Sequence, residues 1–194
     1  VAGGKAGDAA GARVIDGTGL AVCPGFIDLH THCDNGLTGK VGRQNKNYAT
    51  QGCTSVVTGN CGSGPVDAGK FFKTLEEQGV GTNVIHLAPH NSIRSAAMGN
   101  ANRAPTADEL KKMEELVEQA MRDGTWGLAT GLIYNPGTYA KTDEIVALAK
   151  VAARHGGMYA SHIRNEGTGL LDAIEEAATI GRDGGCRVHV SHIK

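Results

Sequence analysis

Short apolar runs alternate with amphipathic stretches along almost the whole chain. Runs over 26–30, 54–58, 83–87, 127–130, 158–161 and 187–191 read as strands. Between them, apolar positions recur at three- and four-residue spacing over 44–50, 68–78, 107–122, 143–154 and 170–181, which predicts helices. Start and stop signals agree. Thr106 with Glu109 forms a capping box ahead of Leu110, Met113, Leu116, Val117 and Ala120, while Thr142 opens the next helix and Gly156 closes it. The strands begin at 26, 54, 83, 127, 158 and 187, each about one strand-helix unit after the last. Such alternation predicts an α/β fold with a parallel sheet and helices outside it, either doubly wound or a closed barrel.

Composition narrows the classes. Nineteen Lys and Arg against twenty Asp and Glu leave a formal charge of −1, which points to no nucleic-acid partner. No stretch is apolar enough to span a bilayer, so no membrane partner is expected. Five cysteines at irregular spacing argue against a disulfide framework and for a reducing cytoplasm. Gly17-Thr18-Gly19 and Gly62-Ser63-Gly64 both lack the third glycine of a dinucleotide fingerprint, which disfavours the doubly wound alternative.

The candidate chemistry lies at strand ends. In Phe26-Ile27-Asp28-Leu29-His30-Thr31-His32-Cys33-Asp34, alternation would set Asp28, His30, His32 and Asp34 on one face, where two imidazoles can share a cation. Cys61 follows the second run among glycines, His162 ends the fifth, and His192 ends the sixth. In a parallel sheet these ends share one rim, so residues from 30 to 192 would converge there. Each alone reads as structural, but five ligand-type side chains on four strand ends favour a metal site. His86, His155 and His189 are read as non-ligands, and His90 is left unassigned.

These motifs resemble the amidohydrolase superfamily and, within it, the D-aminoacylase (N-acyl-D-amino-acid deacylase) family. The resemblance rests on residues 24–32, on Gly59-Asn60-Cys61-Gly62, Ser161-His162-Ile163-Arg164-Asn165-Glu166 and Val190-Ser191-His192-Ile193-Lys194, and on stretches at 89–94 and 131–137. It implies a TIM-type (β/α) barrel of the metal-dependent hydrolase kind, incomplete here at about six of eight units. It implies zinc held by Cys61, His162 and His192, with His30 and His32 completing that site or a second one. Tyr134 and Lys194 are implied as substrate contacts, and an N-acyl-D-amino acid as the small-molecule substrate. The family's general-base aspartate would lie beyond Lys194. The same resemblance implies that 1–25 is the remnant of a small β-domain, that 26–194 is a partial barrel, and that the sequence is a piece of a longer enzyme whose uncovered edges leave it unstable alone. Two other readings stay open: a cyclic amidase of the hydantoinase or dihydroorotase kind, disfavoured by the lack of a lysine at Thr130-Gly131, and a noncatalytic metal-binding protein.

Overall fold

The computed structural model describes Gly11, Arg13 and residues 15–193. Every strand pairing in it is parallel. β1 (Phe26–Asp28), β2 (Cys53–Thr58) and β3 (Asn83–His86) form one sheet in chain order. β4 (Ala88–Pro89), β5 (Gly127–Gly131), β6 (Met158–His162) and β7 (Val188–Val190) form a second, also in chain order. The strand expected over 83–87 is therefore the seam of a single curved wall. Its first part pairs with β2 up to Thr58 opposite His86, and its continuation pairs with β5 from Ala88 opposite Leu128. Leu87 N–H still donates to Thr58 O at 3.0 Å, and Trp126 N–H to His86 O at 3.0 Å, so the hydrogen bonding runs on across the seam. Pro89 has no N–H to extend the ladder, and the chain turns there into a helix.

The helices are α1 (Asp34–Leu37), α2 (Lys46–Ala49), α3 (Ala68–Gln78), α4 (His90–Met98), α5 (Ala107–Arg122), α6 (Thr142–Arg154) and α7 (Leu170–Gly184). α5 carries the expected capping box, with both reciprocal hydrogen bonds present. Three expectations need correction. The helix foreseen over 44–50 is broken by Asn45, left-handed at φ 47°, whose amide donates to Thr82 Oγ1 at 2.8 Å. Thr142 does not cap α6 but begins it, and its hydroxyl donates to Glu176 at 2.8 Å instead. α4, unforeseen, has Pro89 at its start and no side-chain cap, so it lacks the usual sequence signal.

Period-two alternation sorts the strand side chains between two layers. Val57, Leu87, Ala129 and Ala160 form a small cluster on the inner face, with Ile85 and Met158 against it. Leu128 and Tyr159 face the other way, into the main core with Met113, Val117, Leu148 and Ile180 of the outer helices. On the inner side Ile27, Leu29, Trp126 and His189 continue the apolar lining around a cavity of about 140 Å³. Ile27 is 58% exposed and Trp126 61%, so this lining is only partly covered among the described residues. Residues 15–25, expected as part of a β-domain remnant, contain turns and extended chain but no strand.

One ionic network lies deep among the helices. Glu144 of α6 accepts from Arg94 Nε at 3.0 Å and from His90 Nε2 at 2.9 Å, all three side chains being buried. Arg94 also donates to the carbonyls of Ala101 (3.1 Å) and Arg103 (2.6 Å). Removing the carboxylate would leave a buried guanidinium without its counter-charge. Glu144→Ala should destabilise the folded protein by about 3–5 kcal/mol in urea unfolding; a loss under ~1 kcal/mol would show that α4 and α6 do not depend on this pair.

Candidate metal centre

The polar side chains expected at one rim do meet there. β1 ends at Asp28, so the expected alternation through Asp34 fails: Asp28 accepts the His30 N–H at 3.1 Å and the chain bends out of the sheet. Thr31 then anchors to Val57 O through both its N–H (3.0 Å) and its hydroxyl (2.7 Å). His30 and His32 still face one centre, with ring centroids 5.1 Å apart, but the bend rather than the pleat aims them. Asp34 is redirected into α1, where its Oδ1 accepts the Gly59 N–H at 2.7 Å.

Cys61 stands in a tight turn, Asn60–Gly62, at the end of β2. It adopts the left-handed conformation, φ 53° and ψ 24°, between Gly59 at φ 78° and Gly62 at φ 71°. A side chain at positive φ is uncommon and costs on the order of 1–3 kcal/mol, so something must hold it. Asp34 secures one side of the turn, and Asn60 donates to Val57 O at 2.9 Å and Leu29 O at 3.4 Å on the other. The turn directs Sγ to 3.5 Å from His30 Nε2, 3.7 Å from His32 Nε2 and 3.4 Å from His162 Nδ1.

His162 closes β6 on the inner face, two residues beyond Ala160 of the inner cluster. Its Nε2 lies 3.3 Å from Glu166 Oε1, four residues on in the loop that follows. His192 was expected to share a face with Val190. β7 ends at Val190, which packs toward the helices, and past that end His192 swings to the rim, 4.5 Å from the His30 ring and 4.7 Å from the His162 ring. Tyr134, half exposed in the loop after β5, places its ring 4.8 Å from that of His162. Lys194 lies outside the described residues.

This donor set fits a divalent ion. His30, Cys61 and His192 each offer a ligand atom within 4.8 Å of the others. A tetrahedral zinc with bonds of about 2.3 Å to sulfur and 2.05 Å to nitrogen separates the two donors by roughly 3.6 Å, and the three sulfur-to-imidazole distances bracket that value. Burial, then the neighbouring imidazoles beginning with His192, lowers the His30 pKa to about 4. The ring is therefore neutral at pH 7, as a ligand must be, and its buried Nδ1 has no hydrogen-bond partner. Glu166 stands beside His162 Nε2 while Nδ1 of the same ring faces Cys61, the side from which an outer carboxylate orients a metal-bound histidine.

The other histidines are accounted for elsewhere. His86 is fully buried between Thr58 Oγ1 (2.8 Å) and Pro65 O (2.9 Å), His155 pairs with Glu118 at 3.0 Å, and His90 belongs to the Glu144 network. Asp34, Asn60 and Glu166 were the supporting residues that sequence reasoning left without a role. Only Glu166, four residues after His162, had a usable spacing signal.

The amidohydrolase family model matches residues 13–194. The D-aminoacylase of Alcaligenes xylosoxydans xylosoxydans is 36% identical over 98% of this chain and 44% of its own length. A solved D-aminoacylase superposes with a TM-score of 0.84 at 34% identity, over 88% of this chain and 40% of that one. The N-acyl-D-glutamate deacylase of Bordetella bronchiseptica, solved with zinc and a phosphonate inhibitor, gives 0.80 at 36% identity, over 85% and 39%. The chain thus spans less than half the length of these relatives, and its curved parallel wall is the corresponding part of their TIM-type barrel. With a family match over nearly its full length, a parallel wall of the expected topology and a cysteine-histidine cluster at the rim, this chain belongs to the amidohydrolase family.

Proposed function

We propose that this rim is the metal centre of a zinc-dependent deacylase that releases D-amino acids from N-acyl-D-amino acids. The observation that carries the reading is the single thiol of Cys61 within 3.7 Å of imidazole nitrogens from His30, His32 and His162. Sulfur with imidazole selects zinc over magnesium or calcium. The kinship to D-aminoacylase and to a zinc-containing N-acyl-D-glutamate deacylase supports the substrate class.

In this reading Cys61, His162 and His192 hold the principal ion, and His30 and His32 complete that site or hold a second one. Zinc, when bound, supplies Lewis acidity toward the amide carbonyl and toward water. The chain's own residues supply the frame. Glu166 stands beside His162 Nε2 while Nδ1 of the same ring faces Cys61, and Asp34 with Asn60 keeps the Cys61 turn from relaxing. Tyr134 flanks the reacting space beside His162, and Lys194 serves the substrate carboxylate. No helix among the described residues is long and apolar enough to cross a membrane.

Two measurements test this. The full-length protein should carry about one tightly held zinc per chain and hydrolyse N-acetyl-D-amino acids, with Cys61→Ala and His162→Ala each losing both; zinc retained in both variants would remove the site. The metal-free protein should show His30 titrating near pH 4 by NMR. That folded value lies below the unfolded 6.5, so the unfolded chain binds more protons between them. His30 then contributes stability above about pH 6.5 that is lost progressively down to about pH 4 and changes no further below. A His30 titrating near 6.5 would place the ring in water rather than in the cluster.

A further inference from the structure

Asn91 stands where the metal turn, the end of β5 and the Tyr134 loop meet. It lies in the first turn of α4 and is 3% exposed. Its amide bonds no group of its own helix apart from an approach of Oδ1 to His90 Nδ1 at 3.3 Å. Nδ2 donates to Gly131 O at 3.0 Å and to Tyr134 O at 3.4 Å, while Oδ1 accepts the Gly131 N–H at 3.1 Å. Both faces of one amide are thus spent on the backbone of the loop that carries the Tyr134 ring.

The junction is packed to backbone contact. A Cβ on Gly131 would collide with Cys61 O, and one on Gly62 would collide with Asn91 Oδ1. Gly131 consequently lies directly against the metal turn, and the amide that grips Gly131 sets how far Tyr134 stands from that turn. From behind, Arg94 and Glu144 fix His90, and α4 with it.

We infer that Asn91 is a positioning residue: its side-chain amide sets the Tyr134 ring against His162, and so sets the substrate contact relative to the metal ligands. This deepens the deacylase reading and rests on Tyr134 as a substrate contact. Asp34 and Asn60 secure the Cys61 turn independently, so losing Asn91 displaces the tyrosine loop while metal binding persists. Asn91→Asp keeps shape and the Oδ1 acceptor but turns a carboxylate oxygen toward two carbonyls. Asn91→Ala removes all three bonds.

The test uses the zinc-loaded full-length protein with N-acetyl-D-amino acids, together with NMR of its histidine rings. Asn91→Ala and Asn91→Asp should retain zinc and raise KM roughly tenfold, the equivalent of one hydrogen bond's net worth, with kcat changed by less than about threefold. Neither variant should raise KM further in a Tyr134→Ala background, because the effect passes through that ring. The His162 ring signals should move in Asn91→Ala in the same direction as in Tyr134→Ala, as a lost ring-current contact requires. Loss of zinc together with stability would mark Asn91 as ordinary structural packing and overturn the inference, as would additive KM effects or unmoved His162 signals. A wild-type protein inactive on these substrates would sink the deacylase reading, and the His162 signals would still decide whether Asn91 positions Tyr134. Should the alanine variant fail to fold, the near-isosteric Asn91→Asp decides alone.

Discussion

One left-handed residue governs the site. Cys61 at φ 53° directs its thiol toward the imidazoles of the rim. An extended or right-handed cysteine there would put Sγ elsewhere, away from the imidazoles that follow β1 and end β6. The strain of order 1–3 kcal/mol is tolerable because the turn is over-determined. Asp34 reaches it from α1, Asn60 folds back onto Val57 and Leu29, and Gly131 presses on it from β5. Asp34 and Gly131 reach the turn from other strand-helix units and Asn60 adds a bond to Leu29 beside its local one to Val57, so the turn's geometry depends on the assembled wall as well as on the local sequence.

The imidazole cluster imposes an electrostatic condition on the same wall. Imidazole rings stand 4.5 to 5.1 Å apart, so like charges there would repel, and burial adds to the cost of charging His30. The lowered pKa of His30 expresses that condition at the most crowded member. Imidazoles gathered around a thiol bring donors of a kind suited to a divalent cation to one point, whereas the cluster around Glu144 pairs its own charges.

The contrast between those two polar clusters explains how much could be read beforehand. Strand and helix periodicity was legible because α5, with Met113, Val117 and Ala120 on one stripe, and β6, alternating Ala160 inward with Tyr159 outward, obey their periods without interruption. The candidate ligand set was legible because each member ends a strand or follows one by a few residues, and parallel strands share a rim. What escaped were features decided by tertiary contact. β1 stops at Asp28 because the bend at Thr31 is bought by two bonds to Val57, 26 residues away. α4 forms without a cap because Arg94 and Glu144 hold it from α6. Asn45 breaks a helix because Thr82 accepts its amide.

The supporting residues escaped for a related reason. Asp34 sits two positions after His32, and the pattern that places it on the strand's face with the histidines is wrong by the bend at Thr31. Its carboxylate contributes by accepting a backbone N–H from the neighbouring strand's turn, a bond with no sequence signature at either end. Asn91 is the same case: an asparagine near a helix start is ordinarily read as capping its own helix, whereas this one turns its amide outward to Gly131 and Tyr134. In this fold the candidate ligands end strands or follow them closely and can be found by counting, while several of the contacts that aim them come from other units: Val57 holds the bend at Thr31 and Asp34 holds the Cys61 turn. A side-chain cluster at the rim of a parallel wall therefore needs its neighbouring strands in place before its members are correctly directed.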